Sequence, residues 1–302
     1  MTMNGSDWLA QRFEENRAHL RGVAYRMLGS ASEADDAVQE TWLRLSRSDV
    51  SGVENLAGWL TTVAARVCLD ILRARSSRRE ESLEERAAES AAIPARKIDP
   101  EQEAVLADAV GAALLVVLDR LEPAERLAFV LHDMFAVPFE EIAPIVGRSE
   151  SAARQLASRA RRRVHGAAAG GGASNVNLPE HKKIVESFVG ALRAGDFEGL
   201  LAVLDPDVVV RIDAAAGRPG AGPREVHGAE NWARGAVAFS RTVRLAFVQP
   251  ALVDGSVGLV LARRGRLFRA LRFTIERGKI AQVDIVAEPA NLEGLEVQVL
   301  EA

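Results

Sequence analysis

Six arginines and a single acid crowd residues Arg148 to Arg163, a local charge of +5. They follow a short apolar segment that stops at Gly147. Ser149 is placed to cap the next helix, since a hydroxyl accepts from the free amide groups of a first turn. At helical spacing Ala152, Leu156, Ala160 and Val164 form a dry stripe, while Arg154, Gln155, Ser158, Arg159, Arg161 and Arg162 lie on the other side. Two helices joined at a tight glycine turn, the second presenting Arg and Gln, make the helix-turn-helix pattern that enters a DNA major groove. Residues near the start of such a helix face bases, and later ones meet phosphates. Ser151, Arg154 and Gln155 are the base-reading candidates; Arg159, Arg161, Arg162 and Arg163 are the phosphate candidates. Arg grips guanine and Gln adenine by paired hydrogen bonds, each pair worth roughly 1–3 kcal/mol of discrimination. A solvated basic helix in an arginine-rich chain is the plain alternative. Pro144 deletes a backbone donor, at roughly 3 kcal/mol in a helix interior, so the first helix should be short or bent.

The elements around this motif read as helix from residue 7 to residue 75. Trp8, Phe13, Leu20, Val23, Ala24 and Met27 recur at helical spacing before Gly29-Ser30 stops the run. A second helix runs from about Ser32 to Leu45, with Val38, Trp42 and Leu45 on its inner stripe. A third runs from about Asn55 to Arg75, with Leu56, Leu60, Val63, Val67 and Ile71 inside. Ser76 to Glu103 carries mixed charge and few large apolar groups, which predicts a mobile linker. A helical block spans 104 to 166, and a glycine-rich tether follows. Beyond it the periodicity changes. Helices are expected at 180–194, 196–204 and 228–240, and strands at 208–213, 243–249, 257–263, 267–275 and 280–286, with a hairpin at Arg277-Gly278. Helices followed by a strand meander predict an α+β domain in which a curved sheet wraps a helix.

Composition sets limits. The chain has 302 residues, 48% hydrophobic and 26% charged, which is the profile of a globular protein of two or three domains. The net charge of −4 would not draw DNA, so local patches decide. Residues 66–79 sum to +4 and residues 80–103 to −5. Thirty-four arginines against four lysines suit phosphate and guanine, although a GC-rich genome produces the same bias. Cys68 stands alone, which excludes an internal disulfide and a cysteine metal cage and fits a reducing cytoplasm. Neither a signal peptide nor a membrane span is legible, and no metal or cofactor is expected.

Three motifs carry a resemblance. Asp35-Asp36-Ala37-Val38-Gln39-Glu40-Thr41-Trp42-Leu43-Arg44-Leu45 resembles the segment of group IV (extracytoplasmic-function) sigma factors that docks on the β′ subunit of RNA polymerase. Gly58 to Arg75 is similar to the following part, which melts and reads the −10 promoter element. Leu121-Glu122-Pro123-Ala124-Glu125-Arg126 with the helix-turn-helix resembles region 4, the reader of the −35 element. The resemblance implies core-polymerase contacts through Asp35, Asp36, Gln39 and Glu40, and −10 contacts through Arg66, Arg73, Arg75 and Arg78. Arg66 departs from the pattern, since many relatives carry Asn there, and the −10 base preference does not transfer. Acids at a helix start also gain from the helix dipole, an alternative that needs no partner.

The segment after the tether resembles SnoaL-like (NTF2-like) domains through Ala194-Gly195-Asp196-Phe197, Leu204 to Val209 and Val226-His227-Gly228-Ala229-Glu230. Sigma factors with this extension form a SigJ-like type, in which the extra domain tunes activity. Asp213, His227 and Trp232 are the candidates to line its cone, and Asp205 and Asp207 read as capping residues. The tail from Glu288 onward is expected to seal the cone or to pack back on the sigma domains.

The expected organisation is sigma region 2 over 1–78, a linker over 79–103, region 4 over 104–166, a glycine-rich linker over 167–178 and a SnoaL-like regulatory domain over 179–302. The expected partners are core RNA polymerase (β and β′ subunits) and promoter DNA, in the cytoplasm, without catalysis. Regulation is expected through a small molecule or an intramolecular contact. Two alternatives remain open at this point: a ligand-sensing helix-turn-helix regulator, and a SnoaL-like cyclase or isomerase fused to a DNA-binding segment.

Overall fold

The computed structural model describes residues 5–50, 52–85, 111–166, 178–217, 222–240, 248–263 and 265–300. Helix α1 (Gly5–Leu28) ends where Gly29 takes φ 71° and its N–H donates to Tyr25 O at 2.8 Å, a left-handed stop open to glycine. Helix α2 (Ala31–Leu45) follows at once, and α3 (Leu56–Glu85) begins where the Asn55 side-chain Oδ1 accepts from Gly58 N–H. Their shared core holds Phe13, Leu20, Val38, Leu45, Leu60 and Ala64, with Trp42 and Trp59 packed against it. Each such aliphatic side chain contributes about 1.5–3 kcal/mol when fully buried. Trp8 departs from the expected stripe: it lies near the start of α1, 43% exposed, beneath the Arg12 guanidinium.

Helix α3 also corrects the expected boundary. It continues ten residues past Arg75, through Ser76 to Glu85, where a mobile linker was predicted. Helix elongation adds one hydrogen bond per residue to an existing nucleus, so a polar segment can extend a helix that it could not start. Residues 86–103 of the expected linker lie outside the described residues.

Helix α4 (Ala112–Asp119) and helix α5 (Pro123–Phe129) precede a single π-helical turn, Val130–Met134. Helix α6 (Phe139–Val146) and helix α7 (Glu150–His165) form the expected helix-turn-helix. Gly147 turns the corner at φ 67°, and Ser149 Oγ accepts from Ala152 N–H at 3.3 Å. Eight residues carry Pro144 on an exposed position, so α6 is short as predicted. The buried stripe of α7 is Ala153, Ala157, Ala160 and Val164, whereas Ala152 and Leu156 are only half-buried. An unbroken step of four drifts around a helix of 3.6 residues per turn; the observed 4-3-4 spacing follows the helix.

After the glycine-rich 167–177, which lies outside the described residues, come α8 (Leu178–Ala194) and α9 (Phe197–Val203). They are followed by β1 (Leu204–Ile212), β2 (Arg224–His227), α10 (Ala229–Ser240), β3 (Val248–Val253), β4 (Ser256–Arg263), β5 (Arg266–Glu276), β6 (Lys279–Val286), α11 (Pro289–Gly294) and β7 (Val297–Gln298). The sheet order is β2-β1-β6-β5-β4-β3-β7, parallel only between β1 and β6. Register slips interrupt β1–β6, β4–β5 and β5–β6, the kind of irregularity that bends a sheet. One face packs on α8, α9 and α10 through Phe188, Leu200, Trp232, Leu259 and Phe273, the α+β arrangement expected. Arg277 and Gly278 both take positive φ in the β5–β6 turn, as do Asp254 and Gly255 in the β3–β4 turn. The expected strand 243–249 begins at Val248 among the described residues; 241–247 lie outside them.

Two compact units emerge. The first comprises residues 1–103 and 118–163, and the second residues 104–117 and 164–302. The expected interval 104–166 is therefore shared, with α4 and α7 each contributing to both units. In the second unit the Ala113 N–H donates to Gln249 Oε1 at 3.2 Å. The tail joins the same unit: β7 pairs with β3, Val299 N–H donates to Val164 O, and Leu300 packs against the core of the cone. No described helix is long and apolar enough to cross a membrane.

Candidate nucleic-acid interface and cone cavity

Helix α2 presents Asp35, Asp36 and Gln39 to solvent, with Glu40 half-buried beside them. Positions i, i+1, i+4 and i+5 of a helix share one side, so the four lie together. Arg21 grips both oxygens of Asp35 at 2.6 and 3.2 Å, and Arg44 holds Glu40 at 3.0 Å. These pairs are exposed and contribute little to stability, so the acids stay available to a stronger cationic partner. Leu43, 37% exposed, lies one turn beyond Gln39 and adds an apolar contact to the acidic face. Its i+4 spacing from Gln39 was the sequence signal for it.

On α3, Arg66, Arg73 and Arg78 are exposed. Arg66 and Arg73 are seven residues apart, about two turns, and share a face. Neither has an acid partner among the described residues. Arg75 is elsewhere: it is paired with Glu33 and donates to Leu28 O at 3.3 Å, joining α3 to the first two helices. Geometry separates it from the other three and gives it a clamping task.

Helix α7 divides its arginines in the same way. Glu125, only 5% exposed at its side chain, accepts from Arg159 through one oxygen at 2.7 Å and from Arg163 through the other at 2.8 Å. Asp133 pairs with Arg161, and Glu150 with Arg154, whose guanidinium also lies 5.0 Å from the Phe139 ring centre. Arg162 and, just before the helix, Arg148 are exposed and have no acid partner among the described residues. Ser151, Gln155, Ser158 and Arg162, at 4-3-4 spacing, form the solvent face opposite the alanine stripe. Three of the arginines assigned to phosphates from sequence are thus committed to internal acids, and their positive charge is largely matched. The second half of Pro123-Ala124-Glu125-Arg126 is explained by the same contacts: Glu125 anchors α7, and buried Arg126 reaches Arg26 O and lies 3.7 Å from Asp119.

In the sheet unit a cavity of about 330 Å³ opens between the sheet and helices α8 and α10. Phe188, Leu192, Trp232, Leu259 and Leu271 wall it, with the Phe188 and Trp232 rings stacked at 5.4 Å. The polar lining comes from Arg224, Asn231 and Arg269. Of the residues expected to line the cone, Trp232 does. His227 does not; it stands at the β2 edge, 67% exposed, beside Glu225. Asp213 ends β1 and spends its oxygens on the backbone: Oδ2 accepts from Ala287 and Glu288 N–H, and Oδ1 from Ala216 N–H, each at 2.7 Å. Burial pushes the Asp213 carboxyl up, but those three donors and the Arg269 charge outweigh it, leaving it below the usual carboxylate range. A carboxylate so occupied is a fastener and a poor general base. Asp205 likewise serves the backbone, accepting from Asp207 N–H.

Arg269 was missed in the sequence. Along β5 it alternates with Leu271 and Phe273, both in the core, so period-two reading puts an arginine on the apolar face. The buried Cys68 thiol is pushed by desolvation up to about 12 and supplies no nucleophile.

Comparison with known proteins places the chain in a family. The chain matches Sigma-70 region 2 over residues 12–78 and Sigma-70, region 4 over residues 111–164. It is 35% identical to the probable ECF RNA polymerase sigma factor SigI of Mycobacterium tuberculosis, covering 98% of this chain and 99% of that one. The ECF RNA polymerase sigma factor SigJ of the same species is 37% identical, with 93% and 92% covered. The crystal structure of that SigJ aligns with a TM-score of 0.43 at 33% identity, over 94% of this chain and 98% of the other. Identity at this level across nearly the full length, with both region matches in order, means that the chain belongs to the extracytoplasmic-function RNA polymerase sigma factors.

Proposed function

We propose that the acidic face of α2 docks on the β′ subunit of core RNA polymerase, and that the solvent face of α7 reads the −35 element. The chain is a transcription initiation factor acting on RNA polymerase and promoter DNA, and the cytoplasm is where that work is done. Asp35, Asp36, Gln39, Glu40 and Leu43 form the docking face; Arg66, Arg73 and Arg78 track the −10 strand, while Arg75 holds the helices that carry them. Ser151, Gln155 and Arg154 face bases, and Arg148 and Arg162 meet phosphates. Residues 1–85 serve as region 2, residues 111–166 as region 4, and residues 178–302 as a modulating domain.

The observation that carries this reading is the exposed row Ser151, Gln155, Ser158 and Arg162 on the second helix of a helix-turn-helix, opposite an all-buried alanine stripe. Polar, hydrogen-bonding groups on that row have no side-chain partner among the described residues and suit the major groove. Run-off transcription with purified core polymerase and a library of genomic promoters tests it. Transcripts from a restricted promoter set, lost in Gln155→Ala with the melting curve unchanged, are expected. Equal transcription by wild type and variant would remove α7 as the reader.

A further inference from the structure

We infer that the cavity of the sheet unit binds an amphipathic monoanion, an aromatic or aliphatic carboxylate whose charge is taken by Arg269 and whose apolar body lies against Phe188 and Trp232. The inference deepens the modulating role proposed above for this domain, and rests on it only for the consequence in transcription.

Four observations converge. First, the volume of about 330 Å³ falls at the lower end of small-molecule sites, which span roughly 300–1,000 Å³. Second, the walls are apolar and partly aromatic, with Phe188 stacked on Trp232. Third, Arg269 has a buried Nε with no hydrogen-bond partner among the described residues. Its Nη2 donates to Ala216 O at 3.1 Å, and its guanidinium lies 4.6 Å from the Phe239 ring centre. Asp213, the acid whose charge reaches it, has three backbone donors on its oxygens. Fourth, Arg224 lines the same space, so among the described residues the polar side of the cavity carries two cations and Asn231 and no carboxylate.

A buried donor left without an acceptor is unfavourable, and more so on a charged group. That cost is recovered when an acceptor arrives, and a carboxylate matches the guanidinium fork. A neutral ligand of the same shape would keep the apolar contacts and forgo this gain. A cationic one would meet two arginines.

The test uses 2-naphthoate and its neutral counterpart 2-naphthamide, titrated calorimetrically into the full-length protein. Naphthoate should bind at one equivalent per chain and more tightly than the amide by about tenfold or more, the size expected of one hydrogen bond to a charged group. Arg269→Met should abolish that preference while leaving amide binding in place. A second variant guards against a folding defect: Gly235 lines the cavity from α10, and a Cβ added there meets nothing within 4 Å, so Gly235→Leu should fill the space and block both compounds. Equal affinities for acid and amide, a preference surviving in Arg269→Met, full binding by Gly235→Leu, or no binding of either compound would each overturn the proposal. Promoter activity measured without naphthoate is a separate outcome, so failure here leaves the sigma-factor reading standing, and failure of that reading leaves this one standing.

Discussion

Arg162 and Arg269 put the same side chain to opposite uses. On α7 the exposed Arg162 stands beside three neighbours already held by Glu125 and Asp133. In the cavity Arg269 is half-buried among apolar groups, and the acid whose charge reaches it is committed to backbone donors. Charge density in the sequence marked the first region and said nothing of the second. The decisive quantity was the position of acids relative to arginines in space. Five arginines on one helix leave few positions for phosphate, whereas a single arginine on an inward strand position makes a site.

Asp213→Ala removes a charged acceptor from three N–H groups and should lower the stability of the sheet unit by about 3 kcal/mol, read by urea unfolding. An unchanged midpoint would return Asp213 to the pool of chemically free groups. Next, Glu125→Gln should cost about 2 kcal/mol, because Arg159 and Arg163 lose a charged and nearly buried partner. Both are roughly half exposed and recover water, which keeps the loss below that of a fully buried pair.

Smaller effects sharpen the division within α7. Arg162→Ala should reduce the salt dependence of promoter binding by the holoenzyme by about one phosphate contact, while Arg159→Ala should change it less. A larger change for Arg159 would mean that its pair with Glu125 opens on DNA. The smallest expected effect concerns His19, which meets Thr61 Oγ1 at 3.2 Å and the Phe135 ring edge. Desolvation holds its pKa below the ordinary value, so the unfolded chain takes the proton more readily. Its contribution to stability is full above about pH 6.5 and is lost as pH falls through that value toward the folded-state one. Thermal melts of His19→Gln against pH should lose that component.

Much of the helical unit was legible because a helix writes its inside and outside at a fixed period. Phe13, Leu20, Val38 and Leu60 were placed in the core by spacing alone, and all four are buried. The stripe of α7 was misread by one position because a step of four was carried too far. The end of α3 was misread because low hydrophobicity was equated with lack of structure, although an established helix continues through polar residues. The sheet unit disclosed its hairpin at Arg277-Gly278, yet β2, with four residues, and β7, with two, carry too short a pattern to read. The cavity was the least legible feature. Its lining comes from α8, α10 and six strands, and convergence of that kind is a property of the tertiary fold. Trp232 was anticipated there, whereas Arg269 left only its alternation with Leu271 and Phe273 as a mark in the sequence.

The central claim is that the acidic face of α2 and the polar face of α7 act on one transcription machine. Titrating full-length protein into bacterial core RNA polymerase tests it most directly, with wild type beside Asp36→Arg and Gln39→Ala. Tight association by wild type, weakened in both variants while their melting curves coincide with its own, is the predicted result. No association by wild type, or equal association by all three, would contradict the account.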